Sequence, residues 1–119
     1  MPHEMDDNLQ NSASVGQNLY NIYCATCHQT DGKGDASRFP PLSETDWVTG
    51  DKDRLIETVL FGLEGEINVN GNVYNGIMPQ HGFMKNDEVS AILTYIRENF
   101  GNEASPVIPA EIETVRRKL

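Results

Sequence analysis

The succession of apolar and polar positions divides the chain into four helical stretches, one β-ribbon and two long polar loops. Residues 1–13 show neither periodicity nor cap and are expected to form a mobile arm. Ser14 can cap a helix whose apolar residues Val15, Leu19, Ile22 and Tyr23 recur at three- and four-residue steps. The polar stretch "QTDGKGDASRFPPLSETDW" is too rich in Gly, Asp and Pro for a regular element, and a loop of this length in a small domain usually wraps something. "DKDRLIETVLFGLEG" predicts a second helix, with Leu55, Val59, Leu60 and Leu63 on one side and Gly62 and Gly65 at its end. The period then changes: Ile67, Val69 and Val73 alternate around Asn70-Gly71, which predicts a two-stranded ribbon near 66–75. A second irregular stretch, "GIMPQHGFMKN", leads to Asn86, which can cap a helix with Val89, Ile92, Leu93 and Ile96 on one face. Pro109 opens a short terminal helix that is basic at its C-terminal end, where the helix dipole favours cations.

A chain of 119 residues builds one modest core, which a bound cofactor could enlarge. Eighteen Asp and Glu against nine Lys and Arg give a net charge of −9, which repels a phosphate backbone and argues against nucleic acid as a partner. No apolar run reaches the roughly 20 residues of a bilayer span, and residues 1–14 hold no apolar stretch like that of a signal peptide. The chain as written reads as a soluble monomer, which leaves open a signal, an anchor or a neighbouring domain in a fuller protein.

Both cysteines lie in "NIYCATCHQTDGKG", where Cys24, Cys27 and His28 fall within five residues. A thioredoxin-like dithiol needs this motif at the start of a helix after a buried strand, and nothing upstream of Cys24 reads as a strand. A structural zinc site needs four ligands, and the chain offers two thiols and three scattered histidines. Covalent haem attachment needs what is present. Cysteines three apart on one helical turn reach two vinyl groups on the same porphyrin edge, and the next residue brings its imidazole to the iron.

The pieces "GQNLYNIYCATCH", "GKGD", "FPPL", "VLFGLEG", "YNGIMP" and "ILTYIRENFG" together resemble the class I, or mitochondrial-type, monohaem cytochromes c, over about Gly16 to Asn102. The resemblance implies a mainly α fold of three main helices around one covalent haem c, with the small ribbon and a short C-terminal helix added. It divides the chain into the arm 1–13, a haem domain 14–102 and a C-terminal extension 103–119. It makes His28 the proximal ligand, and its imidazole is expected to bond the carbonyl of Pro41, with Pro40 the alternative, in the segment that ends at Leu42. For the sixth position Met78, Met84, His81, Met5 and His3 are candidates by chemistry; the place of Met78 before Pro79 matches the family's axial methionine. Gly16, Tyr20 and Tyr95 correspond to the family's crossing of first and last helices. Arg38, Trp47 and Tyr74 each carry a donor suited to a buried propionate, and each is equally well read as a packed or solvated side chain.

With both axial positions filled, such a centre has no open site for substrate, so the implied function is one-electron transfer rather than enzymatic turnover. The expected direction is from a periplasmic dehydrogenase or quinol-oxidising donor toward an oxidase or reductase, at the outer face of the cytoplasmic membrane. Two alternatives stand beside it. One is a haem domain belonging to a larger redox enzyme or oxidase subunit, since "GNEASPVIPAEIETVRRKL" resembles the tails of cytochrome domains associated with nitrite reductases, oxidases and periplasmic dehydrogenases. The other is a gas sensor or peroxidase with an open iron site. The acidic balance departs from the lysine ring of mitochondrial cytochromes, so donor and acceptor are expected to be redox proteins that are basic or that dock through apolar contacts around Ile77, Phe83 and Met84.

Overall fold

A glycine sets the first contact of the fold. In the computed structural model, which describes residues 14–35 and 38–118, helix α1 (14–23) lies so close to the last long helix that a Cβ on Gly16 would run into the carbonyl oxygen of Ala91. Tyr20, one turn further on, is fully buried, with its ring 5.6 Å from Tyr95 and 5.2 Å from Phe100 between centroids. The buried stripe of α1 is therefore centred on Gly16 and Tyr20. Val15, Ile22 and Tyr23, expected on the core side, are exposed at 43, 64 and 42%, because the backbone approach at Gly16 turns them outward. Ser14 is already within the helix, and the mobile arm expected for residues 1–13 falls outside the described residues.

The chain then runs through α2 (Ala25–His28), α3 (Asp46–Thr49), α4 (Lys52–Phe61), β1 (Leu63–Val69), β2 (Asn72–Met78), α5 (Asn86–Glu98) and α6 (Pro109–Arg117). Asp51 caps α4, and Gly62, with φ +78°, ends it, so Leu63 opens β1 instead of continuing the helix as its pattern suggested. Asn70 and Gly71, both at positive φ, form the predicted tight turn. From that turn the antiparallel register runs from Val69↔Asn72 to Leu63↔Met78. The ribbon is thus longer than the expected 66–75, and Met78 is a strand residue and not part of an irregular loop. Pro79, which has no N–H to give a ladder, follows it directly.

Lys85, not Asn86, is the N-cap of α5, and the Glu88 carboxylate accepts the Lys85 N–H at 2.8 Å. Val89, Ile92, Leu93 and Ile96 form the buried face that the periodicity predicts. They meet Leu55, Ile56, Val59 and Leu60 of α4, and Ile112 and Val115 of α6, in one core. The segment before α6 is tied down too: Val107 is buried, and its carbonyl accepts from Ser90 and Thr94 of α5. Arg97, 4% exposed, donates to the carbonyls of Ser105 and Val48 at 2.8 and 2.7 Å. The result is the mainly α fold expected, with a two-stranded ribbon and a C-terminal helix. No helix among the described residues is long and apolar enough to cross a membrane.

Candidate haem site

Helix α1 hands over to α2 at Cys24, whose own N–H still bonds the Tyr20 carbonyl at 2.8 Å. The Cys24 carbonyl accepts from the N–H groups of Cys27 and His28 at 3.2 and 3.0 Å, so both cysteines and the histidine share one helical turn. The thiols are free and half-buried. Burial, with Cys27 beside it, pushes the Cys24 pKa up to about 11, the opposite of the lowered value a reactive dithiol requires. Among the described residues no group of three or more His, Cys, Asp or Glu side chains is placed to hold a metal ion, so a zinc cluster has no ligand set.

His28 is 8% exposed, and its Nδ1 lies 2.8 Å from the carbonyl oxygen of Pro40. A carbonyl can only accept, so Nδ1 carries the proton and Nε2 keeps a free lone pair. Burial lowers the pKa of the ring and holds it neutral near pH 7. The bond goes to Pro40, not to Pro41, for a reason visible in the backbone. Asp35 and Phe39 form an isolated antiparallel bridge, and the backbone at Gly34, with φ +68°, lies so close that a Cβ there would meet the Phe39 oxygen and Pro40. The Leu42 N–H is bonded to the Gly32 carbonyl at 2.6 Å. This packing puts the carbonyl of Pro40 within reach of the ring.

These residues line one large cavity, whose empty volume, mouth included, is about 1260 Å³. Its wall holds Cys24, Cys27 and His28 on one side; Pro41 and Leu42 from the polar loop; Leu55, Val59, Ile92 and Leu93 from α4 and α5; and Ile67, Tyr74 and Met78 from the ribbon. The ribbon is fastened over it. Asp46 and Asn70 exchange backbone-to-side-chain hydrogen bonds at 3.0 and 3.1 Å, and Asn70 also donates to the Glu44 carbonyl at 3.0 Å. Asn102, 4% exposed, uses both amide hydrogens and its side-chain oxygen to join Leu42 and Glu44 to the end of α5.

The other sequence candidates are distributed unevenly. Met78 is half-buried on the cavity, Met84 is buried against it at 4% exposure, and His81 lines it as well; Met5 and His3 lie outside the described residues. Tyr74 is buried on the wall. Arg38 is exposed at the cavity with its guanidinium 5.0 Å from the centre of the Phe39 ring. Trp47 reaches the wall, but its indole N–H is given to the Asn68 carbonyl at 2.8 Å and its ring stacks with Arg54, so it holds the ribbon instead of offering a free donor. Of the residues proposed for an exposed edge, Ile77 and Phe83 are exposed and Met84 is not.

A feature the sequence did not signal is the bond from Arg116 of α6 to the carbonyls of Gly82 and Met84, which fixes the segment after the ribbon. An Arg in a basic helix end carries no mark of such a tertiary role. The donor set and walls fit a haem: two thiols on one turn, a neutral oriented imidazole, a thioether and a deep apolar slot.

The family model for cytochrome c matches residues 13–99. Cytochrome c-552 of Thermus thermophilus is 35% identical over 112 residues, covering 87% of this chain and 85% of that protein. The fructose dehydrogenase cytochrome subunit of Gluconobacter japonicus is 28% identical over 109 residues, 85% of this chain and 22% of that subunit. The gluconate 2-dehydrogenase cytochrome c subunit of Pantoea cypripedii is 32% identical over 111 residues, 89% of this chain and 24% of that subunit. A slot built around Cys-x-x-Cys-His and matched along most of the chain leaves one conclusion: this protein belongs to the cytochrome c family, and its function is electron transfer.

Proposed function

We propose that the protein is a one-electron carrier whose haem c is attached through Cys24 and Cys27 and ligated by His28 and Met78. The observation that carries this is the His28–Pro40 hydrogen bond, which fixes the tautomer and leaves the Nε2 lone pair free. When bound, the haem supplies a single iron that changes charge by one. The rest is done by the chain. His28 is a neutral imidazole held in one orientation, and Met78, pinned by strand pairing to Leu63, brings a soft thioether that favours the ferrous state and a positive potential. Leu55, Val59, Ile92 and Leu93 exclude water. Arg38 and Tyr74, at the wall, are the donors available to propionates; Pro41 and Leu42 pack against the cofactor face.

The partners are redox proteins on the extracytoplasmic side. Docking runs through an apolar surface, since Ile22, Ile77 and Phe83 are 64–71% exposed and Tyr23 stacks edge-on against Phe83 at 5.7 Å. A second reading, that this unit serves as the cytochrome part of a dehydrogenase, is favoured by its match to 22–24% of two dehydrogenase cytochrome subunits. The ferric absorption spectrum tests the ligand set. A weak long-wavelength methionine-to-iron band, lost in Met78→Leu and kept in Met84→Leu, is expected. A high-spin wild-type spectrum would replace electron transfer with an open-site reading, and loss of the band in Met84→Leu alone would move the ligand.

A further inference from the structure

The cavity holds one buried polar ring with no evident structural purpose. His81 is 8% exposed, and among the described residues its Nδ1 makes no well-formed hydrogen bond, with only the backbone of Pro79 acting on the ring. Leaving a ring nitrogen buried and unpaired is unfavourable, so such a group calls for an explanation. Its aromatic contacts are ones a phenyl ring would supply equally: the rings of Tyr23 and Phe83 lie 6.2 and 5.9 Å away between centroids. The backbone, by contrast, is held firmly. The His81 N–H bonds the Val59 carbonyl at 2.8 Å, and the His81 carbonyl accepts from Met84 at 3.1 Å. The ring thus lines the same cavity as His28 and Met78, three residues beyond the methionine.

Resting on the ligand assignment proposed above, we infer that His81 is a reserve sixth ligand, which takes the iron when the Met78 thioether leaves it. The exchange breaks one Fe–S bond and makes one Fe–N bond, with no change in electron count. An imidazole is a harder donor than a thioether, so the exchanged state favours iron(III) and has a lower potential. The cavity then contains a second coordination state of different potential. It is reached by releasing Met78 at the end of β2, while the turn that carries His81 stays anchored to α4.

The test uses the haem-loaded protein and two variants, Met78→Leu and Met78→Leu/His81→Phe, in which leucine keeps the volume and phenylalanine keeps the aromatic contacts. Met78→Leu is expected to lose the long-wavelength band yet remain six-coordinate and low-spin, with an electron paramagnetic resonance signal of the bis-imidazole type. Its ferrous form should bind carbon monoxide at least about tenfold more slowly than the double variant, which should be high-spin. If the single variant loses the band but is high-spin and binds carbon monoxide as fast as the double, the inference on His81 fails and the Met78 assignment stands. If the single variant keeps the band, the Met78 assignment itself fails, and His81 with it. Should the Met78 variants not accumulate, wild type and His81→Phe are compared at denaturant concentrations that remove the band before the helices melt. A low-spin intermediate in wild type and a high-spin one in His81→Phe support the inference; the same intermediate in both overturns it.

Discussion

Arg116 Nε donates to the Asn86 side-chain oxygen at 2.6 Å, joining the C-terminal helix to the first residue of α5. The same guanidinium donates to the carbonyl of Gly82 at 3.0 Å and to that of Met84. One side chain therefore gathers three points of the segment that follows Met78. Asn86 is held from a second side by Glu113, whose carboxylate accepts from its amide at 2.9 Å.

Arg116→Met keeps much of the aliphatic stem and removes all three bonds. It is expected to destabilise the 80–86 segment by about 1–2 kcal/mol, since the guanidinium is partly exposed and its partners are uncharged. Denaturation followed at the long-wavelength band should shift to lower urea by more than denaturation followed by helical circular dichroism. Equal shifts would show that Arg116 contributes to global stability alone.

Gly16→Ala forces a methyl group against the Ala91 carbonyl and the Tyr95 Cβ. A gain in helix propensity of up to about 1 kcal/mol is outweighed by the strain of a backbone contact that cannot rotate away, and a net loss of about 1–3 kcal/mol is expected. Thermal melting of the haem-loaded protein measures it; an unchanged or higher Tm would mean that α1 and α5 can separate freely at this point.

The docking surface makes a kinetic prediction. Exposed charges are screened over about 8–10 Å at physiological salt, so an encounter steered by the net charge of −9 slows as salt is added, whereas an apolar one does not. Ile77 and Phe83 are exposed, and Lys85 is the single formal charge between residues 76 and 86. Stopped-flow electron transfer with the physiological partner is expected to change by less than about threefold between low and physiological salt, and a tenfold fall would assign docking to the acidic surface.

Much of this architecture was legible in the chain because its signals are local. Asn70-Gly71 fixes the ribbon register, the 3.6-residue period fixes the buried face of α5, and Cys24, Cys27 and His28 lie on one turn by spacing alone. What was not legible depends on how elements meet. The outward rotation of Val15 and Ile22 follows from the approach of Gly16 to Ala91, which no periodicity contains. The choice of Pro40 over Pro41 follows from a two-residue bridge closed across the polar loop. Trp47 reads equally well as a donor or a packed side chain until the ribbon brings the Asn68 carbonyl to it, 21 positions away. The burial of His81 is not legible either, since a polar type in a polar loop gives no sign of it.

The meeting of α1 with α5 at Gly16 also bears on how this unit is built into larger proteins. Because the first and last helices of the matched region touch, the start of that region is held against the helix that closes it. In two dehydrogenase cytochrome subunits a similar stretch, 28 and 32% identical, makes up 22–24% of a longer chain. A contact made possible by one missing Cβ thus does more than close a core: it ties the opening of the matched region to its closing helix.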